Sequence, residues 1–287
     1  MKSNLGGDDS WLFMSVFYRQ EKWHDLLVTI NRVLLNLQKG GIAPAESLIY
    51  FSSHRGDNIR LALRYKFFEQ NNYSFIEGAI KSFLVEHPSD KKTLILPISA
   101  FFKDFPANHI RYNLFDGHYI LSDGLKDLQL LLSKILSVFF FDHPVDEEGI
   151  FTLLIYLQTS ILENICATRE ERIELCIYIM SKMLQNKKEI PETTIEVTGT
   201  PNLGFPQTII EECNTITLLK AFGKACKNFY LFNGQLSVSY LTILNIIQLH
   251  MLRKIEGAFF ERLQYILSSI LNEPANTLLP DYNSALH

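Results

Sequence analysis

The sequence predicts an α+β protein in which a sheet region comes first and a helix-rich half follows. Two patterns indicate this division. Over roughly the first hundred residues, short runs rich in β-branched and aromatic residues alternate with segments whose apolar residues recur at helical spacing. From residue 123 onward, helical spacing dominates. The chain has 287 residues, 47% of them hydrophobic, which is enough to bury a large core.

The first region, residues 1–122, is predicted to form a ferredoxin-like β-α-β-β-α-β sheet. Gly40 and Gly41 end the first helix, and a turn at residues 55–58 joins the second and third strands into a hairpin. Because side chains alternate between the two faces of a strand, Arg60 and Arg64 share one face. The predicted elements are strand 11–18, helix 21–39, strand 47–53, strand 59–67, helix 73–86 and strand 93–102.

The second region, residues 123–287, is predicted to be helical and to pack on the sheet within one integrated domain. Thr168 and Glu171 form a capping box that marks the start of one helix. The stretch 187–207 contains three prolines and two glycines, so we expect a long loop there, the best candidate for a lid. The predicted helices are 125–140, 147–166, 169–187, 209–229 and 237–271.

The charge and the apolar stretches of the chain exclude two classes of partner. A formal charge of -4 and a pI near 6.1 provide no overall attraction to nucleic acid. The polar N-terminus lacks the apolar segment of a secretory signal. The longest apolar stretch is shorter than the roughly 20 residues needed to cross a bilayer. We therefore expect a cytoplasmic protein that binds neither membranes nor, strongly, nucleic acid.

Residue types that usually bind metals do not occur at the spacing of a metal site. The cysteines form no C-x-x-C pair and have no histidine at zinc-ligand spacing, so we expect them to be reduced and mostly buried. The acidic residues around Asp146 precede a predicted helix, where they cap its N-terminus. The sequence therefore predicts no metal site. The cysteines are Cys166, Cys176, Cys213 and Cys226.

Four segments distributed along the chain share a pattern with one known family. The first is the aromatic strand with its long helix, and the second is Asn-Ile-Arg-Leu-Ala-Leu-Arg at residues 58–64. The third is His-Ile-Arg-Tyr at 109–112, and the fourth is Leu-His-Met at 249–251, followed by Gly257 and Glu261. Together they resemble the C-terminal elimination domain of lantibiotic dehydratases, also described as the thiopeptide-type bacteriocin biosynthesis domain, in a stand-alone form.

The resemblance implies a set of functional residues. Two arginines and one histidine match functional positions of the family. Asn58 stands where the family has a strand histidine, and Ala62 stands where it has a second arginine, for which Arg64 is the nearest substitute. The residues expected to be catalytic are Arg60, Arg111 and His250, and those expected to bind substrate are Arg64, Asn58 and Arg253.

The function implied by the resemblance is that of a lyase in lantibiotic or thiopeptide biosynthesis. A separate tRNA-dependent dehydratase subunit would esterify serine or threonine of a precursor peptide with glutamate, and this chain would eliminate the glutamate to leave a dehydroamino acid. His250 would act as the general base. Arg60 and Arg111 would pair with the glutamate carboxylate and with charge that develops on an oxygen. No metal or organic cofactor is needed for this chemistry.

Two other functions remain open. Domains that resemble this chain also perform the formal cycloaddition that builds the pyridine core of thiopeptides. Alternatively, a non-catalytic peptide-binding or scaffold subunit would retain the fold while departing from the family at Asn58 and Ala62.

The candidate residues also have simpler interpretations. Arg60 and Arg64 are consistent with solvated charges that protect a strand, and His250 with a packing residue in an apolar helix. Arg111 is consistent with a surface ion pair to Asp116. Convergence of the two candidate arginines and the histidine on one cleft would favour an enzyme.

Overall fold

The computed structural model of the chain describes residues 10–53, 55–65, 70–89, 105–114, 120–121, 123–185 and 212–251. The strands are β1 (Ser10–Phe17), β2 (Glu46–Ser52), β3 (Asn58–Tyr65) and β4 (His109–Tyr112). The helices are α1 (Trp23–Lys39), α2 (Gln70–Glu86), α3 (Asp123–Asp142), α4 (Glu147–Ile165), α5 (Arg169–Gln185), α6 (Glu212–Asn233) and α7 (Leu236–Met251). A 3₁₀ turn at Gln20–Lys22 precedes α1.

The described strands form one antiparallel sheet in the order β2-β3-β1-β4. Since β3 is antiparallel to both β1 and β2, those two strands run in the same direction with β3 between them. In the same way β3 and β4 run parallel with β1 between them. This is the split βαβ arrangement of a ferredoxin-like sheet. The predicted α+β class, with its helix-rich second half, is confirmed.

The fourth strand of the sheet lies at a different place from the strand that the sequence predicted. β4 spans His109–Tyr112, whereas the predicted strand 93–102 lies outside the described residues. β4 has four residues, and only one of them, Ile110, is a buried apolar residue. Such a short segment shows no alternation of apolar and polar residues from which a strand could be predicted. Pairing with β1 defines β4 instead.

One face of the sheet, the core face, builds the hydrophobic core together with α1 and α2. Ile59, Leu61 and Leu63 of β3 are fully buried there. Trp23, at the start of α1, stacks on Phe51 of β2 with the ring centroids 5.4 Å apart. The intervening residues of β3 point to the opposite side of the sheet. We call that side the arginine face; on β3 it carries Arg60, Ala62 and Arg64.

The helical half packs along β2 and extends the core away from the sheet. α3 contacts both β2 and α1, and α7 also contacts β2. The predicted capping box is confirmed, because Glu171 N–H donates to Thr168 Oγ1 at 3.2 Å and Thr168 N–H donates to a Glu171 carboxylate oxygen at 3.3 Å. Asp146 caps α4 by accepting the Gly149 N–H at 2.8 Å, as predicted.

Several sequence predictions lie wholly or partly outside the described residues. These are the loop 187–207 and the part of the predicted helix 237–271 that follows Met251. Of the cysteines, Cys166, Cys176 and Cys226 are buried free thiols, as expected, while the Cys213 side chain is not described. Among the helices that the structure describes, none is long and apolar enough to cross a membrane.

Gly223 of α6 faces α4 at a point where a larger residue would clash. A Cβ atom here would lie 2.6 Å from Ser160 Oγ, which is itself held by a 2.7 Å hydrogen bond to the Leu219 carbonyl. We expect Gly223→Ala to lower the free energy of unfolding by about 1–3 kcal/mol, the usual cost of overpacking. Urea denaturation followed by circular dichroism measures this change.

Gly78 of α2 provides the matched control, because a Cβ atom there would meet nothing within 4 Å. Gly78→Ala should raise the free energy of unfolding by about 0.5–1 kcal/mol through helix propensity alone. If both substitutions change stability in the same direction and by the same amount, the close approach of α4 and α6 at Gly223 is wrong.

Candidate functional site

One row of side chains crosses the arginine face from edge to edge. Tyr50 of β2 lies opposite Arg60 of β3. Arg60 lies in turn opposite Ser15 of β1, whose other neighbour is Arg111 of β4. Directly opposed residues of an antiparallel pair point to the same face. Arg60 and Arg111 therefore flank Ser15, and since neighbouring strands lie about 4.8 Å apart, their Cα atoms are about 10 Å apart.

A pocket of about 240 Å³ lies at this row and is lined by Arg55, Arg60, Asn113 and Leu114. Arg60 is only 2% exposed, whereas Arg55 and Asn113 are exposed. Arg55 and Asn113 have φ angles of 60° and 56°, in the left-handed region that residues other than glycine rarely adopt. Such conformations cluster at binding and catalytic sites. The pocket therefore combines a buried guanidinium group with an exposed one.

Asn58 supports Arg60 from one position further back on β3. Arg60 Nε donates to Asn58 Oδ1 at 3.2 Å, and Asn58 Nδ2 donates to the Gly56 carbonyl at 2.7 Å. Asn58 is fully buried. The amide thus fixes the Nε side of the guanidinium group of a residue that lines the pocket. The structure places Asn58, predicted to bind substrate, behind Arg60.

Phe105 supports two further guanidinium groups beside the pocket. The Cζ atom of Arg111 lies 5.0 Å from the centre of the Phe105 ring, and that of Arg55 lies 5.7 Å from it. Both distances are within the range of a cation–π contact. The ring packs edge-on against Phe17 at 5.1 Å, and the Phe105 N–H donates to the Arg55 carbonyl at 2.7 Å. Phe105 therefore ties Arg55 and Arg111 to the same small region.

His109 lies on the arginine face next to these positive charges. It pairs with Phe17, while Arg111, two residues further on, pairs with Ser15. Burial and, second, the positive charge of Arg111 lower the pKa of His109 below its ordinary 6.5. The imidazole is therefore neutral at pH 7 and able to accept a proton.

His250 lies at the β2 end of the row, where it closes the outer edge of the sheet. Its Nδ1 donates to the Ile49 carbonyl at 2.8 Å, and the Ile49 N–H donates to Ser133 Oγ at 3.1 Å. These bonds satisfy the groups of Ile49 that face away from β3. Since a carbonyl only accepts, the Nδ1 atom carries the hydrogen and Nε2 carries the lone pair. That Nε2 atom has no hydrogen-bond partner within the part of the chain described.

The environment of His250 keeps its ring uncharged. The residue is fully buried, and its ring stacks on Tyr50 with centroids 4.3 Å apart. Burial lowers the pKa of His250 to about 4, even though the bond to the Ile49 carbonyl acts in the opposite direction. His250 contacts the row through Tyr50 and is not among the residues that line the pocket.

The remaining candidates are placed as follows. Arg64 lies on the arginine face, where it forms a salt bridge with Glu46 across the β2–β3 pair. Lys126 of α3 approaches the same carboxylate at 3.3 Å. Arg253 and Asp116 lie outside the described residues. The described residues contain no group of three side chains suited to a metal ion.

No protein-family model matches the chain, and no curated protein sequence matches it either. In structure it is similar to the pyridine synthase TbtD from thiomuracin biosynthesis, with a TM-score of 0.55 and 12% sequence identity. The similarity covers 91% of this chain and 96% of the pyridine synthase. At this identity, the comparison establishes a shared fold that extends over nearly the whole of both chains.

The structure places Arg60 in the lining of the pocket and Arg111 on the same face across Ser15, outside that lining, and it separates His250 from the pocket by the Tyr50 ring. Arg55 and Phe105 belong to the same region, although no sequence motif pointed to them. The left-handed backbone of the β2–β3 turn positions Arg55, and a hydrogen bond between the Phe105 N–H and the Arg55 carbonyl brings Phe105 to it from a distant part of the sequence. The only sequence signal was the Arg55-Gly56 turn itself.

Proposed function

We propose that this chain acts on a precursor peptide in thiopeptide-type ribosomal peptide biosynthesis, where it eliminates glutamate from glutamylated serine or threonine. The observation that carries the proposal is the pocket on the arginine face. It places the buried Arg60 beside the exposed Arg55, with Arg111 two strands away on β4, in a chain whose formal charge is -4. A local group of guanidinium ions in an acidic protein suits a carboxylate ligand.

The chemistry of elimination fits this arrangement. A base removes the α-proton of the esterified residue, the electrons of that C–H bond form the Cα=Cβ double bond, and the Cβ–O bond breaks. Glutamate leaves as a carboxylate. Arg60, held at Nε by Asn58, can bind the leaving carboxylate through its outer nitrogens. Because the charge on that oxygen increases as the bond breaks, the interaction is strongest in the transition state.

The proton acceptor predicted from the sequence is His250, and that role stays a prediction. The Nε2 lone pair is the atom that would take the proton, since Nδ1 is bonded to the Ile49 carbonyl. Its pKa of about 4 makes His250 a weaker base than an ordinary histidine, and its burial behind Tyr50 keeps it from the pocket. His109, neutral and on the same face as Arg111, is the alternative acceptor.

The dependence of rate on pH separates the two acceptors. With His250 as the base, the rate falls only as pH drops towards about 4, and His250→Asn removes that limb of the profile. With His109 as the base, it is His109→Asn that removes the acidic limb of the pH–rate profile.

A pyridine-forming cycloaddition is the second candidate. The similarity to the thiomuracin pyridine synthase over nearly the full length of both chains supports it. In that case the precursor peptide would already carry dehydroamino acids when it binds, and the arginines would polarise a peptide carbonyl. A non-catalytic scaffold is the third candidate, and it would bind the same peptides without changing them. Asn58 and Ala62, which stand where the family has a histidine and an arginine, are consistent with such a loss of catalysis.

The purified chain should be incubated with two peptides, one with a glutamyl-serine ester and one that already carries dehydroalanines. Mass spectrometry follows loss of glutamate from the first, and mass together with pyridine absorbance follows ring formation in the second. Conversion of the first alone supports the proposed elimination. Conversion of the second alone replaces it with the cycloaddition, and binding without conversion of either replaces it with the scaffold function.

A further inference from the structure

We infer that an open groove beside α5 is a docking site for an amphipathic helix of another protein, one that carries lysine or arginine beside leucine or a similar apolar residue. The groove has a volume of about 450 Å³, and α5 forms one of its walls. The turn between α6 and α7, with the first residues of α7, forms the other. We call it the α5 groove. Since its lining belongs to the helical half and not to the sheet, the inference goes beyond the proposed function and does not depend on it.

The α5 wall of the groove has the spacing of a helix-packing face. Its lining residues are Glu171, Glu174, Leu175 and Tyr178. Positions i, i+3, i+4 and i+7 lie along one face of a helix, over a length of about 10 Å. The gaps between such side chains receive those of a neighbouring helix. A helix therefore matches the periodicity of this wall, whereas an extended chain, with its repeat of two residues, does not.

The two ends of this wall differ in chemistry. Glu171 and Glu174 are exposed carboxylates in the first two turns of α5, and Leu175 and Tyr178 provide an apolar surface beyond them. The Glu171 carboxylate also accepts N–H groups in the capping box of α5, so Glu174 is the one that can be replaced without removing that cap. A helix with a cation opposite the carboxylates and an apolar side chain opposite Tyr178 complements both ends.

Exposed apolar side chains continue the surface on both walls. Tyr178 is 40% exposed, and its neighbour Ile177 is 53% exposed. On the other wall, Val238 directly follows the lining residue Ser237 and is 51% exposed. Phe232, just before the turn, is 89% exposed. Grouped apolar side chains with a polar rim mark surfaces that bind other macromolecules, and aromatic residues often contribute most of the binding energy there.

Two other occupants fit the carboxylates less well. In a two-fold dimer the same surface of each copy meets its counterpart, which would bring the acidic ends of the two grooves to one interface. The negative surface of an anionic membrane would likewise repel them. A cationic helix of a separate protein avoids both kinds of repulsion.

The test uses a synthetic peptide of about five helical turns, held helical by a side-chain staple, with leucine along one face and lysine on its flank. Fluorescence anisotropy measures its binding to the full chain. Glu174→Lys should weaken binding about 5- to 20-fold, mainly through slower association, because it reverses a charge at the rim. The same variant should strengthen binding of a second peptide, in which glutamate replaces lysine. Tyr178→Ser should weaken binding of the lysine peptide about 10- to 100-fold, as expected for an aromatic residue at the centre of an interface.

Two matched variants serve as controls. Glu163→Lys on α4 reverses the charge of an exposed glutamate outside the lining of the groove. Phe141→Ser on α3 removes an aromatic residue that is 43% exposed, close to the exposure of Tyr178, and that also lies outside the lining. Both should leave the affinity for the lysine peptide within about 2-fold of wild type. Circular dichroism confirms that each variant is folded.

Opposite responses of the two peptides to Glu174→Lys support the docking site. Equal binding of both peptides to the wild-type chain overturns it, and so does the absence of binding by either. A dimer that sedimentation equilibrium detects and that Tyr178→Ser dissociates would assign the groove to a second copy and overturn the inference. Binding to vesicles of phosphatidylcholine and phosphatidylglycerol that Tyr178→Ser abolishes would overturn it in favour of a membrane surface.

Discussion

Replacing Arg60 by glutamine is expected to lower the rate of glutamate elimination by about 10²- to 10³-fold, the usual loss when one donor to a developing oxyanion is removed. Glutamine retains hydrogen-bonding groups but carries no positive charge for the leaving carboxylate. Because Arg60 is buried and fixed by Asn58, solvent neither screens its charge nor replaces it. The loss should appear in kcat, since the interaction strengthens as the Cβ–O bond breaks.

Arg60→Lys distinguishes charge from geometry. Lysine keeps a positive charge but has neither the Nε atom that bonds to Asn58 nor the planar fork that holds a carboxylate at two points. We therefore expect Arg60→Lys to recover less than a tenth of the wild-type rate. Circular dichroism confirms that each variant is folded, and Arg32→Gln serves as the control for loss of an arginine elsewhere. Wild-type kcat in folded Arg60→Gln would exclude the pocket as the reaction site.

His250 is expected to make the protein markedly less stable in mild acid. Its pKa is about 4 in the folded chain and about 6.5 in the unfolded chain, so between these values the unfolded state binds a proton that the folded state excludes. Stability from this group is complete above pH 6.5 and decreases as pH falls towards 4. The expected loss in the free energy of unfolding over this interval is about 3 kcal/mol.

His250→Asn and His250→Leu separate the titration from the edge bond. Asparagine lacks the titrating ring yet can still donate to the Ile49 carbonyl. The free energy of unfolding of the His250→Asn protein should therefore lose about 3 kcal/mol less than that of the wild-type protein as pH falls from 6.5 to 4. Leucine leaves the carbonyl without its donor and should cost roughly 1–3 kcal/mol at pH 7. Urea denaturation of the three proteins at pH 4.5, 5.5 and 7 measures both effects. Parallel pH profiles for the wild-type and asparagine proteins would contradict the buried, neutral state of His250.

Local patterns in the sequence were sufficient for most of the elements. The alternation in β3 correctly placed Arg60 and Arg64 on one face, and Thr168 with Glu171 correctly marked the start of α5. Both features depend on residues close together in the chain. The same holds for the division between a sheet region and a helical half, because periodicity is a local property.

The arrangement of the site depends on contacts between distant residues, which periodicity does not specify. The register of β1 against β3 and β4 places Arg60 and Arg111 on either side of Ser15. The contact of Phe105 with Arg55 joins residues fifty positions apart. The sequence does not give the register between strands, so it could not show where His250 lies relative to Arg60. In the folded chain, Tyr50 lies opposite Arg60 and stacks on His250, so its ring lies between these two residues.

The most direct test of the account is a crystal structure of the chain with a glutamylated peptide whose ester is replaced by an amide. We predict that the glutamyl group occupies the pocket lined by Arg55 and Arg60, with carboxylate or amide oxygens within hydrogen-bond distance of Arg60 and with its free carboxylate beside Arg111. A glutamyl group bound elsewhere, for example in the groove between Glu174 and Ser237, would contradict the assignment of the site.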